Sequence, residues 1–258
     1  MPEGKHGRRV FITGASAGIG AALARHYAHQ GWVLGLFARR GAILEDFSKS
    51  LAPATVACYE GDVRNPGDLS GAAADFLNRF GPPDLVIANA GVSFGTLTEF
   101  AEDHAGFNEI LAINVLGLPH TFQPFLKAMR ERGQGTLAGI ASVAGFRGLP
   151  GAGAYSASKA AAITFLESLR VELHGSGLKV VTVCPGYVDT AMTKRNPYAM
   201  PFLLSADEAA RRIARGINRG RRFYVLPWQM ALVGWMLRQL PRVIYDRAFA
   251  RAPHKPRK

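Results

Sequence analysis

The sequence predicts an α/β fold: one domain built on a doubly wound parallel sheet, with helices on both faces. Three observations predict it. Short apolar runs of strand length recur along the chain, alanine-rich helical stretches alternate with them, and neither a Pro/Ser-rich linker nor an internal repeat divides the 258 residues. That length could hold two average domains, but doubly wound α/β folds of this size commonly form one unit.

The first strand-like run is Arg-Val-Phe-Ile-Thr at 9–13. It passes through Gly14-Ala-Ser16-Ala-Gly18-Ile19-Gly20 into a helical stretch at 21–29. Glycines at such a turn let the backbone approach a pyrophosphate and seat it on the amides of the helix N-terminus. Further strand-like runs follow at 33–37, 55–59, 85–88, 136–140 and 179–184, with helical stretches at 69–80, 108–132 and 155–174. The core is expected over about 8–225, leaving a basic, apolar C-terminal extension at 223–258. Cys58 and Cys184 both fall in expected buried strands, so they read as packed thiols of a reducing compartment. No His/Cys cluster has metal-ligand spacing, and no metal is expected. Lys5-His-Gly-Arg-Arg9 before an apolar run imitates a signal peptide, but the run is dense in glycine and reads as mature structure.

Tyr155-Ser-Ala-Ser-Lys159 places a phenol and an ammonium one helical turn apart, on one face. An unperturbed phenol, with a pKa near ~10, is a poor acid–base catalyst at neutral pH. A neighbouring ammonium favours phenolate and is expected to bring that pKa toward the working range. Ser142, thirteen residues upstream of Tyr155, lies just past the run at 136–140, and strand ends are where open α/β sheets place ligands. Gly14-Ala-Ser16-Ala-Gly18 also matches the G-x-S-x-G elbow of α/β-hydrolases, with His104, His120 and His174 downstream. Ser16 follows the first strand, however, whereas that elbow follows several, and a hydrolase leaves Gly20, Tyr155 and Lys159 unexplained.

The glycine pattern T-G-x-x-x-G-x-G, together with Ser142, Tyr155 and Lys159, resembles the short-chain dehydrogenase/reductase family. Asp62-Val63, Asn89-Ala90-Gly91, Asn114, and Pro185-Gly186 with Thr190 match in the expected order, over roughly 8–225. The resemblance implies a Rossmann-type fold that binds a nicotinamide dinucleotide and moves a hydride between it and a carbonyl or secondary alcohol. It places Asp62 and Val63 at the adenine edge, and Asn89, Ala90 and Gly91 along the cofactor. Val188 and Thr190 would hold the nicotinamide carboxamide, and Lys159 the nicotinamide ribose. Tyr155 would be the proton donor, Ser142 the partner of the carbonyl oxygen, and Asn114 part of a water relay behind Lys159. Taken alone, Asn114 also reads as a helix-bending or capping residue. Many relatives dimerise through the two long helices beside the site, so a homodimer or homotetramer is expected.

The second strand ends Ala38-Arg39-Arg40, with no acid to bind a ribose 2′-OH and an arginine whose planar fork suits a 2′-phosphate. The expected cofactor is therefore NADP(H). The lid after the sixth strand contains Met192, Tyr198, Met200, Pro201, Phe202, Leu203 and Leu204, which points to an apolar or lipid-like substrate and equally to core packing.

Residues 1–210 carry 18 Lys/Arg and 18 Asp/Glu, whereas 211–258 carry 13 basic residues and one acid, Asp246, which accounts for the net charge of +12. This segment encloses an apolar stretch at 223–237 that is too short to span a bilayer. Trp228, Leu232, Trp235 and Gln239 or Leu240 fall at helical spacing, with Val243 and Ile244 beyond them and Arg238, Arg242, Arg247 and Arg251 interleaved. Two readings fit: a helix lying in an anionic membrane interface at 223–251, or a strand and helix packed on the domain or a second subunit. A third is a docking patch for an acidic carrier, which would make the protein a 3-oxoacyl-carrier-protein reductase. No nucleic-acid motif accompanies the charge, and no nucleic-acid partner is expected. The location expected is cytoplasmic, or peripheral at the inner face of a membrane. Readings of another class, a nucleotide-binding sensor or a membrane-associated interaction protein, leave the Ser/Tyr/Lys set without a use.

Overall fold

Seven parallel strands form the sheet of the computed structural model, which describes residues 7–257. In chain order these are β1 (Arg9–Thr13), β2 (Val33–Ala38), β3 (Val56–Glu60), β4 (Leu85–Ala88), β5 (Gly135–Ile140), β6 (Leu178–Pro185) and, last, β9 (Phe223–Leu226). Between β6 and β9 a separate ribbon pairs β7 (Val188–Asp189) with β8 (Leu204–Ser205). The large sheet has the order β3-β2-β1-β4-β5-β6-β9. The winding reverses between β1 and β4, whose registers pair Val10 with Leu85 and Ile12 with Ile87. Ligands of open α/β sheets bind outside the carboxyl ends at such a reversal.

Each face of the sheet has its own core. On one side Leu34, Leu36, Ile12 and Val183 meet Leu23 and Tyr27 of α1 (Gly18–His29), Leu44 of α2 (Gly41–Lys49) and Ile213 of α7 (Ala206–Asn218). On the other, Phe11, Val86 and Leu137 meet Leu69 and Phe76 of α3 (Pro66–Phe80), Phe122 and Phe125 of α5 (Gly117–Arg132) and Leu166 of α6 (Gly153–Glu172). Phe11 anchors this second core, edge-on to Phe76 at 5.7 Å and 4.8 Å from the Phe125 ring.

Three expectations need adjusting. The helix expected at 108–132 begins earlier, as α4 (Asp103–Leu111), and reaches α5 through a π turn at Ala112–Leu116, where the Gly117 amide bonds back to the Ala112 carbonyl. Cys58 is half-buried rather than buried, because β3 is the sheet's outer strand; both cysteines are free thiols. The boundary expected near 225 falls inside β9, which adds to the sheet by pairing Val183 with Tyr224 and Pro185 with Leu226.

The C-terminal segment continues as α8 (Trp228–Gln239) and α9 (Arg242–Phe249), and one face of it packs on the domain. Met230 and Tyr245 are buried, and Gly234 lies so close to Phe146 that an added Cβ would stand 2.3 Å from the ring. Arg147 donates to the Leu237 and Leu240 carbonyls at 2.8 and 2.9 Å, capping α8, and its guanidinium lies 4.2 Å from the centre of the Tyr245 ring. The opposite face is bare: Trp228 is 70% and Trp235 61% exposed, with Leu232, Met236, Val243 and Ile244 also open. The reading of a strand and helix packed on the domain thus describes one face of the segment. Among the described residues, no helix is long and apolar enough to cross a membrane.

Candidate active site

A cleft of about 590 Å³ opens along the carboxyl ends of β1, β2, β4, β5 and β6. Its lining includes Gly14, Ser16, Gly18, Ile19, Arg39, Asp62, Val63, Asn89, Ala90, Gly91, Ser142, Tyr155, Lys159, Pro185, Gly186, Val188 and Thr190. Elements from both halves of the chain therefore converge on one space. Gly20 and Asn114 do not line it; they stand behind its wall.

Two glycines fix the turn after β1. Gly14 adopts φ +66°, in the left-handed region, and a Cβ there would meet the Ala90 backbone at 2.8 Å. A Cβ on Gly20 would lie 2.2 Å from the Gly14 carbonyl oxygen and 2.6 Å from Asn89 Nδ2. Asn89 occupies that space, donating from Nδ2 to the Thr13 and Gly14 carbonyls at 3.0 and 3.2 Å and so tying β4 to the turn. Helix α1 starts here without a side-chain cap, and its first residues, Gly18 and Ile19, line the cleft, the arrangement that binds phosphate.

Both arginines after β2 line the cleft and are exposed. Arg40, next to the Arg39 that the strand end points to, donates to Ser16 Oγ at 3.1 Å and so already reaches the glycine turn. Residue 38 is a buried alanine, so no carboxylate stands there. Asp62 is engaged by Arg64, which donates to Oδ2 at 2.9 and 2.6 Å. Burial pushes the Asp62 carboxyl up, but the Arg64 bonds outweigh it and hold it below the usual range. Val63 is buried, and His120 Nδ1 lies 2.8 Å from its carbonyl oxygen. Ser16 accepts from Arg40 and His120 contacts the Val63 carbonyl, so the two are not paired with each other as a hydrolase would need.

At the other end stand Ser142, Tyr155 and Lys159. Ser142 caps the single turn Val143–Gly145, accepting from the Ala144 amide at 3.1 Å. Lys159 is buried at 5% exposure, and its Nζ donates to the Ile140 carbonyl at 2.8 Å, at the end of β5. The same Nζ lies 5.8 Å from the centre of the Tyr155 ring. The expected depression of the phenol pKa by Lys159 is not found. Burial raises the Tyr155 phenol, and the group that draws it part-way back is the Ser142 hydroxyl. Burial also lowers Lys159, to about 8, because an ammonium loses hydration there. Cys184, on β6 beside them, is raised by burial to about 12 and is a neutral thiol at physiological pH.

Asn114 sits in the π turn, 1% exposed. Its Oδ1 accepts from the Val92 amide at 2.9 Å, and its Nδ2 donates to the Val92 carbonyl and Ser158 Oγ, both at 3.0 Å. Because Ser158 follows Tyr155 on α6, this bond network fixes the loop after β4 against that helix. Of the lid's apolar side chains, Met192 lines the cleft, Tyr198, Met200 and Leu204 are half-buried, and Pro201, Phe202 and Leu203 are exposed. Lys255, with no sequence signal to mark it, also arrives here, its Nζ 5.6 Å from the centre of the Tyr155 ring. No group of three or more His, Cys, Asp or Glu suited to a metal ion occurs among the described residues.

The family model described as short chain dehydrogenase matches residues 8–200. An uncharacterized oxidoreductase of Myxococcus xanthus (strain DK1622) is 38% identical over 246 residues, covering 95% of this chain and 97% of the relative. An 11-beta-hydroxysteroid dehydrogenase-like protein, 4A, of Arabidopsis thaliana is 33% identical, covering 95% of this chain and 85% of its own. Among solved structures, a short chain dehydrogenase/reductase from Burkholderia phymatum in complex with NAD superposes with a TM-score of 0.82 at 26% identity, over 98% of both chains. An alcohol dehydrogenase from the archaeon Thermococcus sibiricus, complexed with 5-hydroxy-NADP, gives 0.76 at 29% identity, over 85% of this chain and 94% of its own.

Proposed function

The chain belongs to the short-chain dehydrogenase family and is an oxidoreductase, and we propose that it is an NADP(H)-dependent carbonyl reductase or alcohol dehydrogenase acting on an apolar, lipid-like substrate. The observation that carries this reading is the convergence of Ser142, Tyr155 and Lys159 with the glycine turn in one cleft.

The fit of the cofactor rests on the cradle itself. The tight turn that only glycine allows at Gly14 and Gly20, and the uncapped start of α1 at the cleft, suit a pyrophosphate. Arg39 and Arg40, with no acid at residue 38, suit a 2′-phosphate. Asp62 and Val63 would border the adenine, Asn89, Ala90 and Gly91 the ribose side, and Pro185, Gly186, Val188 and Thr190 the nicotinamide. NADP(H), when bound, supplies or accepts the hydride. The chain's own residues manage the proton. Tyr155, held protonated by burial, donates to the carbonyl oxygen in the reducing direction. Ser142 hydrogen-bonds that oxygen as charge develops on it. Lys159 has one of its three donors on Ile140 and keeps two for the nicotinamide ribose. Asn114 acts as a positioning residue through Val92 and Ser158, which is also the frame a water relay behind Lys159 requires. A screen of carbonyl compounds of increasing chain length, following NADPH absorbance, tests the assignment; a complete absence of turnover across the series contradicts it.

The exposed face of α8 and α9 supports a membrane surface as partner. Trp228, Leu232 and Trp235 stand on one side of α8, and Arg238, Arg242, Arg247 and Arg251 are all exposed around them, a pattern suited to an anionic interface. The protein would then act at the inner face of a membrane. We further propose a homodimer through the α4–α6 side, where Phe107, Leu116 and Val171 are exposed.

A further inference from the structure

Residues 254–257 return to the catalytic tyrosine. The Gly95 amide donates to the Pro256 carbonyl at 2.7 Å, and Gly95 and Arg257 form a parallel bridge. The neighbouring residue, Thr96, bridges to Ala152 and donates its amide to the Gly151 carbonyl at 3.1 Å. Gly151, on the loop that leads into α6, lies so close to His254 that an added Cβ would stand 2.7 Å from that side chain. The tail therefore lies in register between the loop after β4 and the loop before Tyr155. Its end is pinned by Arg257, which donates to Asp103 at 2.8 Å and Glu102 at 3.0 Å and lies 3.9 Å from the centre of the Phe100 ring.

This threading delivers Lys255 to the site. Its Nζ donates to Ser93 Oγ at 2.7 Å and stands 5.6 Å from the centre of the Tyr155 ring, next to which Lys159 stands at 5.8 Å. The two amines differ in what surrounds them. Lys159 is buried against a backbone carbonyl within the cofactor cleft. Lys255 is half-buried against a hydroxyl and a ring face, on the loops outside that cleft. Burial alone displaces its pKa, down to about 8, and no carboxylate among the described residues offsets the lost hydration. The acids within reach of the tail, Asp103 and Glu102, are taken by Arg257, and Asp103 also accepts the Leu97 amide at 2.8 Å. A partly desolvated cation is ordinarily paired. One that keeps an unused donor beside a catalytic phenol is suited to an anion delivered by the substrate.

We propose that Lys255 is a substrate-recognition residue that binds a carboxylate on the substrate, making the preferred substrates oxo acids or hydroxy acids whose reacting carbon lies a few bonds from that carboxylate. The inference deepens the reductase reading and rests on Tyr155 facing the reacting carbonyl. It also unites two features of the chain. An acidic head group meets Lys255, while the apolar remainder lies along the lid at Met192. A positive, aromatic-faced anchor near Tyr155 favours the carbonyl of a bound acid at one distance, so activity varies with the number of carbons between the two groups.

The test compares straight-chain oxo acids with their methyl esters at each spacing between carbonyl and carboxyl, using full-length protein and NADPH. The wild type should favour the acid over its ester in kcat/KM at the best spacing by roughly 10-fold or more, as a charge-assisted hydrogen bond predicts. Lys255→Met should collapse that acid-to-ester ratio toward unity mainly through KM, and Lys255→Arg should retain most of it. Melting curves confirm that each variant is folded. An acid-to-ester ratio at or below unity in the wild type, or a ratio unchanged in Lys255→Met, would overturn the proposal. Calorimetric binding of decanoate and methyl decanoate to the NADP⁺-loaded protein separates this from failure of the reductase reading. Lysine-dependent preference for decanoate without turnover of any carbonyl compound upholds Lys255 and sinks the reductase. Turnover of esters with no preference for decanoate does the reverse.

Discussion

Lys159 Nζ donates to the Ile140 carbonyl at 2.8 Å, which ties α6, the helix of Tyr155, to the end of β5. The same Nζ stands 5.8 Å from the centre of the Tyr155 ring, and the phenol is governed by burial, which raises it, and by the Ser142 hydroxyl, which draws it part-way back. The tyrosine is thereby kept as an acid, the state a reductase needs before proton transfer.

The sign of the pH dependence follows. A phenol raised by burial stays protonated well above neutrality. Carbonyl reduction should therefore be nearly flat from pH 6 to about 8, falling as Lys159 loses its proton near 8. Alcohol oxidation needs the phenolate and should rise with pH over the same interval. Steady-state profiles in both directions check this, and oxidation that falls between neutrality and pH 8 would contradict the assignment.

Cofactor choice should depend on two arginines. Arg39→Ala and Arg40→Ala should each raise the KM for NADPH by roughly 10- to 100-fold, the cost of one charge-assisted contact, and leave NADH within a few-fold. Arg40→Ala should additionally loosen Ser16, its partner at 3.1 Å. Kinetics with both dinucleotides decide the matter; a wild type that prefers NADH would overturn the assignment.

The two faces of the tail should separate by substitution. Trp228→Ala with Trp235→Ala removes side chains that are 70% and 61% exposed, so melting temperature should barely move, while sedimentation with anionic vesicles drops and salt weakens what remains. Gly234→Ala acts on the packed face, where the new methyl would meet Phe146, and should cost about 1–3 kcal/mol of stability. Unchanged sedimentation in the tryptophan double variant would retire the membrane surface as a partner.

The sequence made the centre of the molecule readable because strands buried on both faces are written as continuous apolar runs, such as Val10-Phe-Ile and Leu85-Val-Ile-Ala. The glycine turn and the Tyr155–Lys159 pair were readable for a related reason: their chemistry depends on local spacing. What escaped depends on distance along the chain. The strand at β9 stands in the sequence only as one of two readings of 223–251, because it is short and runs into an amphipathic helix; its pairing with β6 decides for the strand. Arg40 and Arg39 follow the same strand, and strand periodicity does not say which of them bends toward Ser16. Lys255 meets Ser93 across 162 residues, and no pattern in either segment announces it.

The most direct test of the central claim is NADPH-dependent carbonyl reduction by Tyr155→Phe beside the wild type, on a substrate the wild type turns over. The substitution keeps the ring and removes the proton donor, so NADPH should bind with unchanged affinity while kcat falls by roughly 10²- to 10⁴-fold. A folded Tyr155→Phe protein that reduces the substrate at close to the wild-type rate would contradict the mechanism at its source.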